Sequence, residues 1–280
     1  MQSRTIDAVR VGRQDVRDAG SRQWADGVPG LAVRGGVRAY LGFREQLCTA
    51  VQRWETPAAE LVLILGFGDK FPAQATAGAG GLTPFTSFVA GFHDRPTRTV
   101  HQGLQYGVQV RLDPLAAFSL LGVPVHELGN RIVELRDLLG RRADRWTGEL
   151  AGAGDWPDRF EVLDRLLARR MAGGPAPSPE VVWAWRAMCR AGGLVRVGDL
   201  VAGTGCSHRR LVALFRQQVG TTPKMAARVL RYERAARLLA AGHVSLARVA
   251  AVCGYADQPH LTREFRRFSG ITPAAARPPS

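Results

Sequence analysis

A chain of 280 residues with 46% hydrophobic and 22% charged content has room for two ordinary domains and is patterned as a globular protein, not a disordered one. Its formal charge of +14, from 38 basic and 24 acidic residues, calls for an anionic partner. No apolar run reaches the ~20 residues of a membrane span, and Cys48, Cys189, Cys206 and Cys253 lack zinc-site or disulfide-framework spacing, so a cytoplasmic protein with no membrane partner is expected.

Residues 1–30 are polar and weakly patterned, with alternating charges (Arg4, Asp7, Arg10, Arg13, Asp15) and no signal-peptide core, and are expected to be a mobile lead-in. From Leu31 to about Arg111 short β-prone runs (Ala59–Gly66, Phe85–Gly91, Leu104–Leu112) alternate with turn residues, which predicts an antiparallel sandwich or barrel. Gly66-Phe67-Gly68 lacks a following Lys-Ser/Thr and is a turn, not a phosphate loop. His93 and His101 lack the clustered His-x-His with a following Glu of a cupin metal site, so no metal and no cofactor are expected.

After Asp113-Pro114 the period becomes helical. Pro124 opens a predicted helix on which Val125, Leu128, Ile132, Leu135 and Leu139 share a face, with Glu127 and Arg131 paired at i,i+4 and His126 turned to solvent. Trp156-Pro157 opens another amphipathic stretch carrying Phe160, Leu163, Leu166 and Leu167. Both are expected to pack on the sheet, with a dimer interface as the alternative. Ala172–Pro179 (AGGPAPSP) reads as a linker between a β-rich domain over 31–171 and a helical domain over 180–280.

The helical domain holds most of the charge excess, with 16 basic and 5 acidic residues between Glu180 and Ser280. It also repeats itself at a period of 49 to 50 residues. Gly205, Leu211, Phe215, Arg216, Gly220, Thr222 and Pro223 recur as Gly254, Leu261, Phe265, Arg266, Gly270, Thr272 and Pro273, with one extra residue, Ala256, in the second turn. Each copy predicts a helix–turn–helix, over about 197–218 and 246–268. A short helix ends at a glycine, Ser207 or Asp257 caps the next helix, and Leu211/Phe215 or Leu261/Phe265 anchor that helix to the core. The residues left outward sit at the helix end that enters a DNA major groove. Arg pairs bidentately with guanine and Gln with adenine, so His208, Arg209, Arg210, Gln258, His260 and Arg263 are candidate base readers. Arg216, Lys224, Arg266 and Arg267 are candidate phosphate contacts. Between the copies Thr222-Pro223 starts a long helix of about 18 residues, ~27 Å at 1.5 Å each, which could hold the reading helices about one DNA turn apart.

Val181–Arg277 resembles the DNA-binding domain of the AraC/XylS family, most closely in GYADQPHLTREFRRFSGITP and in the linker helix TPKMAARVLRYERAARLL. Ala213 and Ala276 depart from the family pattern, the first where many members carry a basic residue and the second in place of a common aromatic. The N-terminal half resembles, less specifically, the cupin-like effector domains found upstream of such motifs, through VRLDPLAAFSLLGVPVHELGNRIVELRDLLG. The resemblance implies an α+β fold, a β-rich cupin-like domain followed by an all-α domain with two helix–turn–helix motifs. It also implies a sequence-specific transcriptional regulator that is not an enzyme. Its partners would be a double-stranded DNA operator and a small-molecule effector on the N-terminal domain, with RNA polymerase and a second copy of the chain as further candidates. A DNA-tethered cupin-type enzyme and an architectural DNA-binding protein are the alternatives. Operator, effector, sign of regulation and oligomeric state stay open.

Overall fold

The apolar run Leu61–Leu65 needs cover on both faces, and the fold supplies it. In the computed structural model, which describes residues 9–16, 20–77, 79–242 and 244–278, Leu61, Leu63 and Leu65 are fully buried in the core shared with the helices. Val62 and Ile64 turn to the opposite face, among Phe43, Phe71, Phe88 and Ile132. The strands are β1 (Arg10–Val16), β2 (Gly20–Gly27), β3 (Val37–Glu55), β4 (Leu61–Gly66), β5 (Phe71–Thr76), β6 (Ala79–Phe85), β7 (Phe88–Ala90), β8 (Thr97–Leu112) and β9 (Ile132–Glu134). They form one antiparallel sheet in the order β1-β2-β3-β8-β4-β7-β9, with the β5–β6 hairpin joined to β8 at Ala73↔Thr99. The two longest strands, β3 and β8, pair through a register shift between Leu47 and Val51. Such a bulge bends the pair, so the sheet curls over itself.

Two expectations are corrected. Residues 10–16 and 20–27, read as part of a mobile lead-in, are the paired strands β1 and β2, and β2 continues onto β3 from Gly20↔Leu47 to Gly27↔Tyr40. Their polar composition is that of a sheet edge, where Ala25 is covered and Asp26 meets solvent. The rest of that expectation, residues 1–8 and 17–19, lies outside the described residues. The single helix after Pro124 is three pieces instead: a 3-10 turn at Val125–Leu128, then β9, then α2 (Leu135–Leu139). Gly129-Asn130 interrupts the helical period, with Asn130 at φ 58, a left-handed conformation that asparagine tolerates. Ile132–Glu134 is thereby freed to pair with β7. The apolar residues stay buried, but the Arg131 guanidinium donates to the Glu127 carbonyl (3.4 Å) and not to its carboxylate.

Helices α1 (Pro114–Leu121), α3 (Arg141–Gly152) and α4 (Trp156–Ala172) cover the outer face of the sheet. On α4, Phe160, Leu163, Leu166 and Leu167 are buried, Phe160 stacks on Tyr40 (5.4 Å), and Asp164 accepts from the Tyr40 hydroxyl at 2.7 Å. Residues 173–178 then lead into α5 (Pro179–Arg190), α6 (Val197–Thr204), α7 (His208–Val219), α8 (Pro223–Ala240), α9 (Leu246–Val252) and α10 (Gln258–Ser269). These pack around Trp185, Leu211, Phe215, Tyr232, Leu261, Phe265 and Phe268, and Ala59 and Phe92 from the N-terminal half belong to the same cluster. The halves are joined further by Trp185 Nε1 donating to Asp113 (2.9 Å) and by Val125 packed against Gly220.

Candidate nucleic-acid interface and an N-terminal cavity

Both turns are built as the repeat requires. Gly205 ends α6 at φ 66 and Gly254 follows α9 at φ 71, conformations that a Cβ would strain. Ser207 then accepts from the Arg210 N–H (3.3 Å), and Asp257 from the His260 N–H (2.6 Å), each closing the first turn of the following helix. In the second turn Tyr255 is buried under the Arg231 guanidinium (5.8 Å), and the His260 ring stands edge-on to it at 5.3 Å. His260 Nδ1 accepts from the Ala256 N–H at 3.3 Å. One edge of that imidazole is therefore spent on the turn, which leaves Nε2 for any base contact.

The buried anchors orient each reading helix. Leu211, Phe215 and Val219 face the core on α7, and Leu261, Phe265 and Phe268 on α10. His208, Arg209 and Arg216 are left exposed on α7, and Gln258, Arg263 and Arg266 on α10, with no side-chain partner among the described residues. Lys224, at the start of α8, is exposed as well. In the repeat Ala213 occupies the place of Arg263, so the first helix presents a methyl where the second presents a guanidinium.

Besides His260, two candidate residues are engaged within the chain. Arg210 reaches Glu180 on α5 (3.2 Å), and Arg267 reaches Asp94 of the N-terminal half (3.4 Å). Sequence reasoning also missed how α10 is fixed to α8. Arg228 pairs with Glu264 at 2.6 Å and lies over Phe268 at 5.6 Å, which clamps α10 to the N-terminal part of the long helix.

A cavity of about 620 Å³ lies inside the curled sheet. Its apolar wall is an edge-to-face chain, Phe43–Phe71 (5.7 Å), Phe71–Phe88 (6.0 Å) and Phe71–His101 (6.5 Å). At the end of that chain Glu45, 2% exposed, takes Arg22 (2.7 Å) and Arg53 (3.0 Å) on Oε1 and His101 (3.1 Å) on Oε2. Burial alone would raise the Glu45 carboxyl, but hydrogen bonds from His101 and Arg53 outweigh it and hold it at about 2. Elsewhere in the wall Glu60 is held by Arg111 (2.5 Å) and Arg38 (3.5 Å). His93 sits between Thr97 Oγ1 (2.8 Å) and the Arg131 carbonyl (3.3 Å), and burial lowers its pKa below the usual imidazole value. His93 and His101 are thus spent on separate polar contacts and do not converge.

Toward the helical half the cavity wall is one residue thick. Thr56, Pro57, Ala58 and Glu60 line the cavity, while Ala59 between them is buried in the helical core and its N–H donates to Glu233 on α8 (3.0 Å). The neighbouring segment alternates in the same way: Gly91 and His93 face the cavity, Phe92 the helical core, and Asp94 the guanidinium of Arg267.

A family model for a helix-turn-helix domain matches residues 200–278. Among curated proteins, the HTH-type transcriptional regulator Rv1931c of Mycobacterium tuberculosis is 34% identical over 84 residues, 30% of this chain and 32% of that protein. The HTH-type transcriptional regulator GbdR of Pseudomonas aeruginosa is 31% identical over 83 residues, 30% of this chain and 23% of that one. The chain thus spans about a quarter to a third of the length of the curated relatives it matches. Among solved structures, a transcriptional regulator from Chromobacterium violaceum with an AraC-type DNA-binding domain is 30% identical, over 35% of this chain and 89% of that one, with a TM-score of 0.33. ToxT from Vibrio cholerae aligns over 86% of this chain and 97% of that one at 8% identity, with a TM-score of 0.47.

Proposed function

Through residues 200–278 the chain belongs to the AraC-type helix-turn-helix family, and from that premise we propose that it is a sequence-specific DNA-binding transcriptional regulator. The observation that carries the reading is the pair of reading helices. Each is fixed by buried anchors and presents exposed, unpartnered cationic or amide side chains, and one 18-residue helix, α8, lies between the two motifs. His208, Arg209, Gln258 and Arg263 are the base readers in this reading, joined by Arg210 and His260 through what their intramolecular contacts leave free. Arg216, Lys224, Arg266 and Arg267 hold phosphates, which gives affinity without sequence.

The N-terminal half serves as the effector domain, supported by a cavity inside the size range of small-molecule sites, roughly 300–1,000 Å³. No catalytic step is part of this function. No helix among the described residues is long and apolar enough to cross a membrane, and the reading places the regulator in the cytoplasm, with RNA polymerase and a second copy of the chain as its protein partners.

Selecting bound duplexes from random DNA with the full-length protein tests the assignment. Two enriched half-sites about one helical turn apart are expected. Binding to them should weaken steeply as salt rises, because phosphate contacts release counterions. An unenriched pool bound equally well would make the protein an architectural DNA binder.

A further inference from the structure

The Glu45 cluster carries more positive charge than it consumes. One carboxylate, buried and ionised, is flanked by two guanidiniums and an imidazole, and Arg22 and Arg53 both line the cavity. Each guanidinium has five N–H donors, and Glu45 offers only two oxygens, one of them already shared with His101. Glu60, the other buried acid of the wall, has its two guanidiniums as well, but there Arg38 also serves Asp113 at 3.4 Å, so that end is balanced. Asp26 and Glu55 line the cavity with exposed side chains, where water screens them. The surplus is therefore local to the Arg22–Arg53 end, and the apolar chain of Phe71, Phe43 and Phe88 begins beside it.

An amine would find no free buried carboxylate in this wall, and a polyol would leave the three phenylalanines facing hydroxyls. Given an N-terminal half that senses a small molecule, as the effector reading requires, we propose that the cavity is a site for an organic acid with an apolar body, its carboxylate received by Arg22 and Arg53 and its body laid against Phe43, Phe71 and Phe88. Guanidiniums suit this task because their planar fork matches a carboxylate and stays charged at any working pH.

The test is calorimetric titration of the full-length protein, without DNA, against matched probes: octanoate, octanol and octylamine, then 3-phenylpropanoate and 3-phenylpropanol. Losing a hydrogen-bonded charge in a partly buried site should cost about tenfold or more in affinity. At least one acid is expected to bind about tenfold tighter than its own alcohol, with octylamine weakest, and the better acid tells an aliphatic body from an aromatic one. Arg53→Gln should erase the advantage of acid over alcohol while leaving the alcohol's affinity in place. Arg22→Gln should do the same, and Glu45 keeps a guanidinium and His101 in either variant. Alcohols binding as well as acids, octylamine binding best, or no probe binding at millimolar concentration would each overturn the proposal. Anisotropy of a labelled duplex, read separately, reports on the DNA-binding function: acid binding without DNA binding sinks that function and leaves the site, and the reverse sinks the site alone.

Discussion

At the scale of single residues, the reading face of α10 is set by two buried anchors. Arg263 lies two positions after Leu261, about 200° around the helix at ~100° per residue, and is exposed and unpartnered near the helix start. Arg266 is nearly one turn further on, where a helix docked by its N-terminal end is leaving the groove and the nearest anion is backbone phosphate. Arg263→Ala should therefore cost about 1–3 kcal/mol on the best operator and much less on an operator altered at the base it reads. Arg266→Ala should weaken every duplex alike and lower the salt slope by about one unit. Binding of both variants to a panel of single-base operator variants at two salt concentrations separates them. An even loss across the panel for Arg263→Ala would mean that the reading face has been placed wrongly. Ala213, standing where the repeat puts Arg263, implies in addition that the half-site under α7 lacks this contact and is the more degenerate of the two.

At the scale of elements, the clamp between α8 and α10 decides whether the spacing of the reading helices is rigid. Glu264 is 12% exposed, its Oε1 is bonded to Arg228, and its Oε2 is buried with no partner among the described residues. Removing the guanidinium leaves that carboxylate buried and uncompensated, so Arg228→Ala should cost about 3 kcal/mol of stability in urea unfolding. The double replacement Arg228→Met with Glu264→Leu should cost much less, because two apolar groups need no compensation. Equal losses for the single and double changes would show that the pair contributes packing alone. The clamp also marks the limit of what the sequence discloses. The turns, caps and anchors of both motifs are legible because each depends on residues within about one helical turn of one another, and the internal repeat states them twice. Arg228–Glu264, Arg267–Asp94 and the Arg22–Glu45–Arg53–His101 cluster join positions 36, 173 and up to 56 residues apart, and no local pattern announces them. The misread N-terminal strands and the broken helix after Pro124 have the same origin: pairing with β3 and with β7 overrode the local texture.

At the scale of the whole molecule, the N-terminal half touches the helical half at α8 and at one of the proposed phosphate contacts. The segments lining the cavity present Ala59 to Glu233 in the middle of α8 and Asp94 to Arg267 at the end of α10. An occupant of the cavity would therefore press on the same two segments that hold α8 and Arg267, one of the proposed phosphate contacts. If Arg267 holds a phosphate as proposed, Asp94 competes for it, since one guanidinium fork cannot serve the carboxylate and a phosphate in the same geometry. The competition is modest, because Arg267 is 47% exposed in its side chain and such pairs are worth roughly 0.2–1 kcal/mol. Asp94→Asn should accordingly raise affinity for all duplexes by about 1.4- to fivefold at low salt, with the rank order of operators unchanged. The fragment 177–280 should bind with at least that gain, since it lacks Asp94 altogether. It should also be less stable than the same helices in the full chain, since Ala59 and Phe92 no longer complete its core and Trp185 loses Asp113. Anisotropy titrations of the full chain, Asp94→Asn and the fragment against one labelled operator and one scrambled duplex supply the measurement. If Asp94→Asn binds no tighter than the full chain, or gains on the operator alone, then Arg267 does not reach phosphate and its place in the candidate site is lost.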